Sequence, residues 1–172
     1  MKRIALATLA AAGLSLTGIA GAQTCAAPTT IVSNGTFSGN TCAAAGNETG
    51  VAVVCGNGNF TDKAAVFSWV KGDAASAHTG NLVVTQTVSY DVGLAVVRTT
   101  CGSTGVCVGL TDGASDGTTP ETIDLSAAGF GPAGTYYLFV TSFADGSAGA
   151  TCGAFGGTVA TLPVKLQSMS VE

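Results

Sequence analysis

The chain has 172 residues, 47% of them hydrophobic and only 9% charged, with a formal net charge of −4. Its Val, Leu, Ile, Phe and Tyr content suffices for a packed core, which excludes a disordered chain. The negative sign repels phosphate backbones, so no nucleic-acid partner is expected.

In chain order the first element is a targeting segment. Lys2 and Arg3 precede an apolar run from Ile4 to Ala20 that closes on Ala20-Gly21-Ala22, the pattern of a cleaved secretory signal peptide over residues 1–22. Gly13, Ser15, Thr17 and Gly18 dilute the run, which argues against a retained anchor. Cys25 follows Ala22-Gln23-Thr24, unlike a lipoprotein signal. Residues 23–172 are then expected to be secreted or periplasmic, off the membrane, and to form one domain and a monomer. In that span Lys63, Lys71, Arg98 and Lys165 face ten carboxylates, a net charge of −6.

Beyond residue 23 the hydrophobic period is two, with Gly, Asn and Asp punctuation about every ten residues, as in a sandwich or barrel. Strands are expected at Thr29–Phe37, Val51–Cys55, Ala64–Val70, Asn81–Ser89, Asp91–Arg98, Val106–Thr111, Glu121–Ser126, Thr135–Ser142 and Gly157–Leu166. Turns fall at Asn34-Gly35, Asn57-Gly58, Gly72-Asp73, Asp112-Gly113, Asp116-Gly117 and Asp145-Gly146, where positive φ is tolerated. Pro120, Pro132 and Pro163 belong at strand starts or on an edge. The fold class is all-β, an antiparallel sandwich of about 8–9 strands.

Alternation nominates the core: Phe67 and Trp69; Leu82, Val84 and Val88; Val92, Leu94 and Val96; Ile123 and Leu125; Tyr136, Leu138 and Val140; Leu162, Val164 and Leu166. Thr135–Ser142 carries Tyr137 and Phe139 on its other parity, which points to a covered second face, with an exposed apolar patch as the alternative.

All six cysteines, Cys25, Cys42, Cys55, Cys101, Cys107 and Cys152, lie beyond residue 22. An even count in an exported chain predicts three bridges. Cys101 and Cys107 flank Gly102-Ser103-Thr104-Gly105-Val106 and are expected to pair. Cys42 with Cys55 and Cys25 with Cys152 complete one scheme, and Cys42 with Cys152 competes with it. Zinc is disfavoured, since only His78 and no paired Cys spacing is present.

Four blocks resemble a known family in its own order. Val66-Phe67-Ser68-Trp69, Tyr90-Asp91-Val92-Gly93-Leu94, Asp112-Gly113 with Glu121-Thr122, and Ala133-Gly134-Thr135-Tyr136-Tyr137-Leu138-Phe139-Val140 look like the strands of the bacterial pre-peptidase C-terminal domain. The resemblance spans about residues 62–166 and divides the chain into residues 1–22, a Cys-bearing segment 23–60 packed on the sandwich, and the family-like region 61–172. It implies a jelly-roll sandwich and a non-catalytic accessory role in secretion or in anchoring enzymes to insoluble polymers. No peptidase precedes the region, so the expectation is a free-standing module that binds an extracellular polymer or a secreted protein. A self-assembling structural or adhesive surface subunit is the alternative.

Site chemistry is sparse. His78 lies in a small-residue turn with no nucleophile elbow and is expected to be an exposed structural residue, not a catalytic one. Tyr90, Tyr137 and Phe139 are the aromatic candidates for a binding face. No cofactor is expected, but Asp112, Asp116 and Glu121 suit an irregular calcium site. The Asp112–Gly117 loop fails as an EF-hand, because Ala114 and Ile123 occupy ligand positions. Asp91, Asp112, Asp116 and Glu121 could also converge for carboxylate-pair chemistry, but acids in solvent-facing turns are expected for solubility alone and glycosidases need a larger scaffold with a cleft.

Overall fold

The structure, a computed structural model, describes residues 23–44, 54–56, 60, 63–88, 90–112, 119–142 and 152–162. Among these residues nine strands run in chain order: β1 (Thr29–Thr30), β2 (Thr36–Asn40), β3 (Ala65–Lys71), β4 (Asn81–Gln86), β5 (Val92–Arg98), β6 (Val106–Thr111), β7 (Glu121–Asp124), β8 (Gly134–Ser142) and β9 (Ala154–Val159). They form one sheet in the order β1-β3-β8-β5-β6 and a second in the order β2-β9-β4-β7. Among the described strands only β1 with β3 is parallel. From β2 to β9 the chain crosses between the sheets at every step except the β5–β6 hairpin, which is the jelly-roll order of an all-β sandwich.

The core lies where the inward parities of both sheets meet. Phe67, Trp69, Leu82, Val84, Val92, Leu94, Val96, Ile123, Leu125, Tyr136, Leu138 and Val140 are all buried there, as alternation predicts. Phe37 packs on Phe67 with ring centroids 4.8 Å apart, and Phe155 joins the same cluster. Each large side chain so buried contributes about 1.5–3 kcal/mol.

Four expectations need correction. The stretch Thr29–Phe37 is split, because Asn34 takes a positive φ of 52° and Gly35 closes a turn on the Val32 carbonyl. The last strand runs over Ala154–Val159 instead of Gly157–Leu166, and Phe155, Gly157 and Val159 face inward. Val88 lies past the end of the β4 ladder and is exposed. Val54 and Cys55 are not extended. Leu162 is buried, whereas Val164, Leu166, Pro163 and the turns at Asn57-Gly58, Asp116-Gly117 and Asp145-Gly146 lie outside the described residues.

The second face of the five-stranded sheet is covered. Val66, Ala95, Val97 and Phe139 form an outer cluster with Phe60 and Ala64, and Cys25, Val54, Cys55, Cys101 and Tyr137 pack against it. Residues before Ala64 therefore seal this face while also supplying β1 and β2 to the two sheets.

Disulfides fix that cover. The bridges are Cys25–Cys101, Cys42–Cys152 and Cys55–Cys107, so the expected Cys101–Cys107 pair does not form. Cys107 stands opposite Val97 on the outer face of β6 and meets Cys55 of the covering segment. Cys101 sits in the β5–β6 turn beside Cys25. Of the expected pairings, the competing Cys42–Cys152 is the one present. A bulge between Val96 and Val97 breaks the β5–β6 register and bends this edge strand, which discourages pairing with another chain.

Candidate functional site

The outer face of the four-stranded sheet carries a broad concavity. Inward parity takes Leu82, Val84 and Gln86 on β4 and Phe155, Gly157 and Val159 on β9. The opposite parity then points Thr36 and Ser38 of β2, Gly156 and Thr158 of β9, and Val83 and Thr85 of β4 outward. Strand register aligns them: Thr36, Thr158, Val83 and Thr122 form one row across all four strands. Ser38, Gly156 and Thr85 form the next row. Thr87, whose hydroxyl donates to the Ala154 carbonyl at 3.0 Å, bounds the far side.

These rows line a trough of about 520 Å³ with no ionisable side chain among the described residues of its lining, a volume typical of small-ligand sites. Two adjacent glycines shape it in different ways. A Cβ at Gly156 would meet nothing within 4 Å, so the absence of a side chain there opens the floor. A Cβ at Gly157 would strike the Phe37 ring at 2.3 Å, so this glycine makes room for a core side chain.

The aromatic candidates lie elsewhere. Tyr90 and Phe139 are fully buried and cannot present rings to a ligand. Burial raises the Tyr90 phenol above its ordinary pKa. Tyr137 is half-buried on the outer cluster beneath the N-terminal cover.

The carboxylates do not form a described ligand set. Glu121 is buried and accepts a hydrogen bond from the Thr111 hydroxyl. Asp112 is half-buried at the end of β6, Asp91 is buried, and Asp116 lies outside the described residues. Among the described residues no three His, Cys, Asp or Glu side chains come together as metal ligands would.

His78 corrects a further expectation, for it is 3% exposed. Its Nε2 accepts the Trp69 indole N–H at 2.8 Å. The proton therefore sits on Nδ1, which donates to the Phe130 carbonyl at 3.0 Å. Burial holds His78 below its ordinary pKa; the Phe130 carbonyl opposes that and the nearby Lys71 charge adds to it. Lys71 is itself buried and donates to the carbonyls of Phe130 (3.3 Å) and Gly131. Trp69, Tyr136 and Phe130 stack in series beside them. A shallow cleft of about 160 Å³ opens here, but its polar groups are spent on holding the 3₁₀ turn Ala128–Phe130 in place.

Sequence reasoning missed the hydroxyl face because polar positions alternating with core positions look like ordinary solvated surface. A signal was present: Thr36 and Ser38, Thr85 and Thr87, and Thr158 share the outward parity of three strands. What it lacked was the order β2-β9-β4, which makes them neighbours. No family model, curated protein or solved structure matches the chain.

Proposed function

We propose that residues 23–172 form an exported, non-catalytic binding module that holds an extracellular polymer on the outer face of the four-stranded sheet. One observation carries this reading. Of the two sheet faces turned away from the core, one is sealed by the N-terminal residues and their bridges, and the other carries the uncharged trough.

Three further points support it. Three disulfides suit an oxidising extracellular or periplasmic setting, in keeping with the signal-like residues 1–22. Among the described residues no helix is long and apolar enough to cross a membrane. The blocks resembling the pre-peptidase C-terminal domain imply an accessory role for a jelly roll of this kind. Self-assembly through strand edges is less favoured, because β6 is bulged and β1 is two residues long.

The test is co-sedimentation of residues 23–172 with a panel of insoluble extracellular polymers, with and without a chelator. Retention on at least one polymer, lowered by Gly156→Tyr, is the expected result. Equal retention of the variant, or no retention on any polymer, overturns the reading, and loss on chelation would bring the Asp112 and Glu121 region into the site.

A further inference from the structure

Granted that this face is the binding site, the make-up of the trough narrows what fits it. We infer that it takes a neutral glycan chain lying across the strands, along the floor of Ser38, Gly156 and Thr85.

Direction comes first. Outward residues repeat roughly every 6.6 Å along a strand, so the rows on either side of the Gly156 floor stand roughly 13 Å apart, wide enough for one chain. Across β2, β9 and β4 the floor is roughly 10 Å long, the reach of two linked sugar rings. The open space above Gly156 is where a ring settles.

Chemistry comes second. The backbone groups of β9 and β4 are committed to the ladder, so the floor offers side chains and not the main-chain pairing that an extended peptide requires and finds at a sheet edge. The side chains are hydroxyls, each able to donate and accept, set among the methyl groups of Thr and Val83. Sugar hydroxyls share that dual capacity, and the C–H faces of the rings match the methyls. Protein partners are held by aromatic and Arg anchors in desolvated pockets. Among the described residues the trough has no Arg, and the one ring lining it, Phe37, packs inward on Phe67.

Charge comes third. Among the described residues no cation lines the trough, and ten carboxylates against four basic residues beyond residue 22 repel polyanions. An acidic glycan is disfavoured by both features. Hydroxyl contacts exchange for water at small net gain, so a short oligosaccharide should bind with a Kd of about 1 mM and an insoluble polymer should hold the protein by repeated engagement.

The test is an NMR titration of residues 23–172 with neutral tetrasaccharides of glucose, xylose and N-acetylglucosamine, with tetragalacturonate, and with a soluble collagen-like peptide. Shifts of Ser38, Thr85, Gly156 and Thr158 with a neutral sugar, weakened tenfold or more by Gly156→Val with no fall in melting temperature, support the inference. Shifts at these residues with tetragalacturonate or the peptide alone overturn it and leave the face as the site. If no probe moves this face while others move or the protein still sediments with polymer, the proposed function falls with it.

Discussion

Trp69 and His78 are joined by a 2.8 Å hydrogen bond in which the indole donates and the imidazole accepts. Only the neutral ring with its proton on Nδ1 makes both this bond and the bond to Phe130. A protonated ring would set two donors against each other beside the Lys71 ammonium.

The first prediction concerns pH. The folded pKa of His78 lies below its unfolded value of 6.5, so below that pH the unfolded chain takes up a proton that the folded chain refuses. The contribution is fully present above about pH 6.5 and is lost as pH falls through the folded pKa. Asp73 and Asp124 are held below the usual carboxylate range by hydrogen bonds from Ser76 and Ser126 and titrate lower still. The melting temperature should fall between about pH 6.5 and pH 5, and His78→Gln, which can still accept from Trp69, should flatten that slope. An unchanged slope in the variant would place the effect elsewhere.

Lys71 provides the second. Its ammonium donates to two carbonyls at the end of the 3₁₀ turn, and Lys71→Ala leaves the buried Phe130 carbonyl to His78 alone and the part-buried Gly131 carbonyl without this charged donor. A loss of about 2–3 kcal/mol is expected, measured by urea unfolding, with amide exchange accelerated first at Ala128–Phe130. A change within about 0.5 kcal/mol would show the contact to be incidental.

Adjacent glycines give the third. Gly157→Val drives a side chain into Phe37 and should cost at least about 1–3 kcal/mol. Gly156→Val points into open space and gains strand propensity, so stability should hold or rise by up to about 1 kcal/mol. Thermal melts of the pair decide this, and equal destabilisation would refute the assignment of faces.

The bridges supply the fourth. Peptide mapping without reductant should recover Cys25–Cys101, Cys42–Cys152 and Cys55–Cys107. Replacing both Cys25 and Cys101 by Ser should cost about 2–5 kcal/mol and raise dye binding by loosening the cover over Val66, Val97 and Phe139. Recovery of a Cys101–Cys107 peptide would contradict the packing of the N-terminal residues.

Much of the fold was legible because alternation is a local property: Val92, Leu94 and Val96, or Tyr136, Leu138 and Val140, declare an inward face without reference to any partner strand. Phe67 and Trp69 did so as well, and Lys71 follows on the same parity. Its burial escaped notice because its acceptors lie 59 and 60 residues away. The last strand is expected to begin only at Gly157, since nothing local shows that Phe155 faces inward or that Phe37 fills the space above Gly157. Cys101 and Cys107 suggested a local pair because their nearness in sequence is visible, whereas the outward facing of Cys107 and the arrival of Cys25 and Cys55 are not. The candidate site depends on strand order, which alternation does not encode.

The bridges also determine what happens when the backbone is cut. Cys25–Cys101 and Cys42–Cys152 overlap, so a single nick anywhere between Cys25 and Cys152 leaves the two fragments covalently joined, and between Cys55 and Cys101 all three bridges span the break. A protein sharing its surroundings with secreted proteases would come through a first cleavage as one covalently joined molecule.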